Sequence, residues 1–314
     1  MSKIVITDYF SAPGPPETRI LGNLVGVEAT EETEVLIVWH DIIDEDYIKD
    51  MPHLKGVQRY GVGFDNLDID YLKSRGIVCC NNPDYGVDEV SDTALSMILN
   101  FTRGTTSYNE RAKCLYNTWQ ENVIPTVRRH SEMTLGIIGA GRIGGSLIQK
   151  AKALKFNIVF YDKYQPSGIE KLHGVQRMES LEDLLSTSDI VSVHVPSNDE
   201  TRGMINKEFI ECMKDDSILV NTARGDLIES LDVLYDGLKS KKISKIALDV
   251  LPEEPPITSP LINDWRSSLG WIRDRLIINP HTAYYSVEAI EEMRVKAATN
   301  ALRILKGRTP LNIV

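Results

Sequence analysis

The sequence has no apolar run of membrane-spanning length, no CxxC pair and no surplus of positive charge, and none of its six histidines stands at metal-ligand spacing from another or from a cysteine. Each absence excludes a class of function. A bilayer span needs about 20 consecutive apolar residues, so no membrane partner is expected. At the start, Met1-Ser2-Lys3 leads into Ile4-Val5-Ile6-Thr7-Asp8, too short an apolar run for a signal peptide, and a cytoplasmic location is expected. The formal net charge of -10 argues against nonspecific attraction to nucleic acid or to an anionic membrane surface, so an anionic substrate must be caught by local positive groups. The four cysteines, Cys79, Cys80, Cys114 and Cys212, are expected as buried reduced thiols, and adjacent Cys79 and Cys80 are poorly placed to bridge to each other. The histidine spacing makes a zinc site improbable.

What is present is an ordinary globular balance, 42% hydrophobic and 25% charged residues over 314, enough chain for two domains. The first hundred residues alternate short apolar runs with helical segments. Lys3 to Asp8, Glu34 to Trp39, Val57 to Tyr60 and Ile77 to Asn81 read as buried strands, and Val87 to Arg103 as a helix with one buried face. A second series gives six further strand candidates at helix-length intervals: Thr134 to Ala140, Asn157 to Asp162, Asp189 to Pro196, Ser217 to Ala223, Ser244 to Leu251 and Leu276 to His281. That is the pattern of a doubly wound dinucleotide fold. A closing helix, Val287 to Leu305, has no strand of its own to cover and is expected to return to the first unit. The expected organisation is therefore an interrupted domain, residues 1–100 and 287–314, with a nucleotide domain, 101–286, inserted into it and a ligand cleft between them. Pro252 to Trp271 is the one long irregular connection.

Gly139-Ala140-Gly141-Arg142-Ile143-Gly144 lies between an apolar strand and a helix start. In this setting the first glycine makes the turn, the second lets a pyrophosphate approach the backbone, and the third lets helix pack on strand. The helix N-terminus supplies free N–H donors and a positive dipole end. Asp162 closes the next strand, where a carboxylate accepts hydrogen bonds from the adenosine ribose and repels the extra phosphate of NADP. Lys163 beside it works in the opposite direction. Arg224 follows a buried strand, and its guanidinium could hold a carboxylate in two parallel hydrogen bonds while polarising an adjacent carbonyl. His281 ends the last strand, suited to give a proton to a ketone oxygen near neutral pH. A carboxylate partner would stabilise its protonated form. Asp249 ends another strand, and Glu253 and Glu254 follow it in the turn Pro252 to Pro256.

These residues, with Gly61-Val62-Gly63-Phe64-Asp65-Asn66-Leu67-Asp68, resemble the D-isomer-specific 2-hydroxyacid dehydrogenase family nearly end to end. Among its branches the chain is most similar to the C-terminal-binding protein group, through GFDNLDI, Asn109-Glu110, Gly168-Ile169-Glu170 and His281-Thr282-Ala283-Tyr284-Tyr285-Ser286. The resemblance implies two Rossmann-like domains, the smaller flavodoxin-like. It implies a catalytic set of Arg224, Glu254 and His281, choosing Glu254 over Glu253 because the family's glutamate stands five residues after the aspartate matched by Asp249. It places the substrate carboxylate on the Val62-Gly63 backbone, with Arg59 as a second anionic contact. Cofactor positions carried over are Gly139 to Gly144, Asp162, Val195, Pro196, Asn198, Thr201, Thr222, Ala223 and Asp249.

Tyr284 stands where the branch has tryptophan, which bears on the shape of the substrate pocket, and Val62 replaces the lysine of a phosphite-oxidising branch. The stretch from Trp265 to Trp271 is an addition that reads as a lid or a contact surface, and at least as readily as an apolar-anchored surface loop. The resemblance implies an NAD-dependent enzyme interconverting a small 2-oxo acid and a D-2-hydroxy acid, as a homodimer built through roughly Phe101 to Arg129. The alternative is an NAD(H)-sensing binding protein of the corepressor kind.

Overall fold

The computed structural model describes residues 2–8, 11–113, 119–121 and 123–314, and Cys114 lies outside them. The described residues form two compact units, one of residues 1–86 and 285–314, the other of residues 87–284.

The first unit is built on a five-stranded parallel sheet of β1 (Ile4–Ile6), β2 (Val25–Gly26), β3 (Val35–Val38), β4 (Gly56–Arg59) and β5 (Val78–Cys80). Its order, β2-β1-β3-β4-β5, is the flavodoxin-like one. Strands buried on both faces read as continuous apolar runs, and Val35-Leu36-Ile37-Val38 is buried at every position. Val5, Leu36, Val38 and Val57 share one core with Ile48 and Leu72. On β3 and β4 the helix Val287–Leu305 is laid, burying Met293, Ala297, Ala301 and Ile304. It comes so close that a Cβ on Gly56 would sit 2.7 Å from Ile304 Cγ2.

A buried ion pair fastens this helix. Glu17, on the helix Pro15–Leu21, is 0% exposed, and both of its oxygens are engaged by Arg294 of the closing helix, each at 2.7 Å. The Tyr60 hydroxyl also donates to Glu17, at 2.9 Å. Burial alone would raise the Glu17 carboxyl, but hydrogen bonds from Arg294, its own backbone N–H and Tyr60 outweigh it and hold the group below its ordinary value.

The second unit carries a seven-stranded parallel sheet of β6 (Thr134–Ile138), β7 (Asn157–Tyr161), β8 (Gln176–Arg177), β9 (Ile190–Val193), β10 (Ser217–Asn221), β11 (Ile243–Leu248) and β12 (Leu276–Ile278). The order is β12-β11-β10-β9-β6-β7-β8. It reverses between β6 and β9, and ligands of doubly wound sheets bind outside the carboxyl ends at such a switch point. Leu135 and Ile137 pack with Ile98, Phe101 and Leu147, while Ile138, Val193 and Leu219 pack with Leu184, Phe209 and Leu234. Both faces are therefore covered by helices.

The first unit ends at Gly86, ahead of the expected boundary near residue 100, because the helix Val87–Arg103 turns Ala94, Met97, Ile98 and Phe101 into the core of the second. The two-residue edge strands β2 and β8 add to the expected set. Pro252 to Trp271 is not structureless: Pro260–Arg266 is a helix capped by Ser259, with Leu261 and Ile262 buried. Trp271 Nε1 donates to Asp264 at 3.0 Å, and Lys239 Nζ lies 3.5 Å from the Trp271 ring centre. These contacts hold the segment to the body of the second unit. Cys79 and Cys80 are buried, their thiols pushed up to about 11 by burial, whereas Cys212 is only half-buried.

Glu17→Gln should lower stability at pH 7 by about 3 kcal/mol, since removing one partner strands the other charge, measured by urea unfolding. The carboxyl is depressed in the folded state, so its contribution is full above the ordinary carboxylate range and is lost as pH falls. The difference between variant and parent should therefore shrink below about pH 4; a difference independent of pH would refute the ion-pair account.

Candidate active site

The carboxyl ends of β6, β7, β9, β10, β11 and β12 bring the sequence-predicted residues of the second unit to one edge of its sheet. Gly139 turns with φ +89°, and a Cβ there would stand 2.5 Å from the His194 carbonyl oxygen. A Cβ on Gly144 would stand 1.9 Å from the Gly139 oxygen, whereas one on Gly141 would meet nothing within 4 Å. The turn is thus closed on its protein side and open where a ligand would approach. Gly141 caps the helix Arg142–Ala153, Ala140 is buried, and Arg142 and Ile143 form its first turn.

Asp162 holds this turn from the next strand end. Ala140 N donates to its Oδ2 at 2.8 Å, and Tyr164 N and Gln165 N donate to Oδ1 at 2.9 and 3.0 Å. Its orientation is fixed, and Oδ2, with one donor against two on Oδ1, keeps a lone pair for a ribose hydroxyl. In the loop from Val195 and Pro196, the side chains of Asn198 and Thr201 are engaged in building the loop itself. Thr201 Oγ1 donates to the Pro196 carbonyl at 2.6 Å, and Asn198 Oδ1 accepts from Glu200 N at 2.9 Å.

Two buried polar atoms at this edge have no partner among the described residues: Thr222 Oγ1, just past β10, and His194 Nδ1, just past β9. Burial pushes His194 down to about 4, and its Nε2 lies 2.8 Å from Ser192 Oγ, so it is a neutral ring. Orphaned polar atoms beside an open glycine turn fit a polar dinucleotide. His194 escaped the sequence reading; its position at a strand end directly before Val195-Pro196 was the available signal.

Arg224 and Glu254 lie on adjoining turns. Asn221 shapes the first: its Oδ1 accepts from Ala223 N at 2.9 Å and its Nδ2 donates to the Arg224 carbonyl at 2.8 Å. Arg224 Nη1 donates to the Ala223 carbonyl at 2.8 Å. The second turn presses against the first, since a Cβ on Gly225 would lie 1.8 Å from the Leu251 oxygen. Leu251 N donates to Glu254 Oε1 at 2.8 Å, and Glu254 Oε2 lies 2.7 Å from His281 Nδ1. Burial would raise Glu254, but the hydrogen bonds from His281 and Leu251 and the charges of His281 and Arg224 hold it below the usual carboxylate range.

Asp249, carried over as a cofactor position, is occupied with the histidine turn. Its Oδ1 and Oδ2 accept from Thr282 N and Ala283 N at 3.0 and 2.9 Å, and its carbonyl accepts from His281 N at 2.8 Å. His281 itself stands at φ +53°, with the Tyr284 ring 6.4 Å away edge-on.

The first unit holds its own sequence-predicted residues together. Arg59 Nε donates to Asn66 Oδ1 at 3.1 Å, with the guanidinium 5.2 Å from the Trp39 ring centre. Asn81 Nδ2 donates to the Val62 carbonyl at 2.6 Å, and Asn82 N donates to the Gly61 carbonyl at 3.1 Å, fixing the turn that carries Gly63. Neither asparagine was singled out from sequence. No group of three His, Cys, Asp or Glu side chains suited to a metal occurs among the described residues.

Residues 95–283 match the profile of the D-isomer specific 2-hydroxyacid dehydrogenase, NAD binding domain. The chain belongs to the D-isomer-specific 2-hydroxyacid dehydrogenase family. It is 32% identical over 289 residues to the D-3-phosphoglycerate dehydrogenase of Methanocaldococcus jannaschii, a match covering 92% of this chain and 53% of that protein. It is 30% identical over 312 residues to the glyoxylate reductase of Korarchaeum cryptofilum, covering 98% of this chain and 89% of the relative. The chain thus spans about half the length of the first relative and most of the second. The D-lactate dehydrogenase of Aquifex aeolicus, crystallised with NAD and lactic acid, superposes with a TM-score of 0.84 at 29% identity, covering 97% of this chain and 96% of that one. As in other members of the family, the glycine turn lies inside an NAD-binding domain.

The two glycines should part company on mutation. Gly141→Ala should lose NADH affinity with an unchanged melting temperature, because its Cβ enters only the open face; Gly144→Ala should lower stability by about 1–3 kcal/mol through overpacking. Calorimetric NADH titration and thermal melts check both, and parental NADH binding by Gly141→Ala would refute the placement of the pyrophosphate.

Proposed function

We propose that the protein interconverts a small 2-oxo acid and the corresponding D-2-hydroxy acid with NAD(H). The reading is carried by the 2.7 Å pairing of His281 Nδ1 with Glu254 at the same sheet edge as Arg224 and the glycine turn. Glu254, kept ionised, stabilises a protonated imidazole and directs its Nε2 outward to deliver a proton. Arg224 offers the planar fork that pairs with a carboxylate and polarises the neighbouring carbonyl. The Val62-Gly63 amides and Arg59 are the further carboxylate contacts, and Tyr284 shapes the side-chain pocket; both assignments rest on the family resemblance.

In reduction, bound NADH supplies the hydride to the 2-carbon. The ketone oxygen, held by Arg224, takes the proton from His281 Nε2 and becomes the hydroxyl. In oxidation, neutral His281 removes that proton, and Glu254 again steadies the charge that forms on the ring. Placement within the C-terminal-binding protein branch is supported by the GFDNLDI string and the run from His281 to Ser286. The relatives named above are two dehydrogenases and a reductase, which supports the enzyme reading.

A panel of 2-oxo acids with NADH, followed at 340 nm, should reveal turnover with at least one. His281→Ala and Arg224→Ala should each lower that turnover by at least about a hundredfold while NADH affinity stays near that of the parent. Turnover with no 2-oxo acid would favour an NAD(H)-sensing binding protein, and equal loss of NADH affinity in both variants would remove the catalytic assignment.

We also propose a homodimer formed through residues 101–129, of which 114–118 and 122 lie outside the described residues. Light scattering should give about twice the chain mass of 35.3 kDa, and a monomer mass would refute it.

A further inference from the structure

The sequence puts contradictory charges at the ribose-recognising strand end. Asp162 disfavours a 2′-phosphate, whereas Lys163 directly after it would attract one. The structure contains a third group that resolves the conflict. Glu200, in the loop after β9, places Oε2 2.6 Å from Lys163 Nζ, and the Tyr164 hydroxyl donates to that same oxygen. Lys163 also lies 5.1 Å from the Tyr164 ring centre, so one carboxylate gathers both side chains. Its own backbone is fixed, Glu200 N donating to Asn198 Oδ1 at 2.9 Å.

The position of this cluster gives it meaning. β6 lies between β7 and β9 in the sheet, so the loops carrying Lys163 and Glu200 flank the glycine turn on either side. They meet beside the switch point, where the adenosine end of a dinucleotide lies. We propose that Glu200 is a determinant of NAD over NADP: it occupies Lys163 and, with Asp162, leaves the ribose end with an excess of negative charge. Without Glu200 the charges of Asp162 and Lys163 balance, and the 2′-phosphate meets a free ammonium. The inference rests on the NAD reading of this unit and adds a residue that the glycine-turn pattern does not contain.

The test is isothermal titration of the intact protein with NADH and with NADPH, which reads binding without turnover. Glu200→Gln should tighten NADPH about fivefold, the size expected of one exposed charge across a few ångströms of wet surface, with NADH changed by less than about twofold. Adding Lys163→Gln to that variant should abolish the gain, while Tyr164→Phe, which removes a donor but no charge, should leave the preference where it was. An unchanged ratio of the two affinities in Glu200→Gln, or equal weakening of both, would overturn the proposal and leave Glu200 as a support of its loop. Failure of the parent protein to bind NADH would instead overturn the cofactor reading, a result separable from the other two.

Discussion

The geometry of the candidate active site depends on one carboxylate, that of Asp249. Its side chain accepts two successive backbone N–H groups, from Thr282 and Ala283, and its carbonyl accepts a third, from His281. A buried carboxylate so occupied has a single low-energy arrangement, and burial raises it above the usual range despite the donors. The turn from His281 to Ala283 inherits that arrangement. The left-handed backbone at His281 is tolerated because hydrogen bonds on both sides over-determine it, and it is this twist that brings Nδ1 to Glu254.

Glu254 is fixed from its other oxygen by Leu251 N, and Leu251 in turn lies against Gly225. The His281–Glu254 pair and the Arg224 turn are thus joined by backbone contacts. Precise placement of this kind is how a protein prepares the reacting groups before substrate arrives. The side chains doing the holding, Asn221 and Asp249, act through backbone groups.

Much of this was legible in the sequence because both sheets are parallel and buried, so their strands stand out as apolar runs. The helices Val87–Arg103 and Val287–Leu305 have the bounds that their periodicity predicts. The edge strands Val25–Gly26 and Gln176–Arg177 were not legible, for a two-residue ladder has no period to detect. The helix at Pro260 was hidden because proline reads as a breaker, although the first turn of a helix tolerates it well. Within the site, residues with distinctive chemistry, such as Arg224 and His281, could be picked out by position at strand ends. Asn81 and Asn82 could not, since their significance lies in hydrogen bonds to backbone groups remote in sequence, and His194 offered only its strand-end position. Asp249 shows the reverse case, a residue whose place was read from sequence and whose hydrogen bonds belong to the histidine turn.

The interrupted first unit also fixes an order of events. Glu17 is separated from Arg294 by 277 positions, and Gly56 meets Ile304 from a comparable distance. A ribosome therefore releases the strands of this unit before the inserted nucleotide unit, and the helix that seals them after it. Those strands must wait, with Glu17 lacking its counter-charge, while the inserted segment is already able to reach its final form.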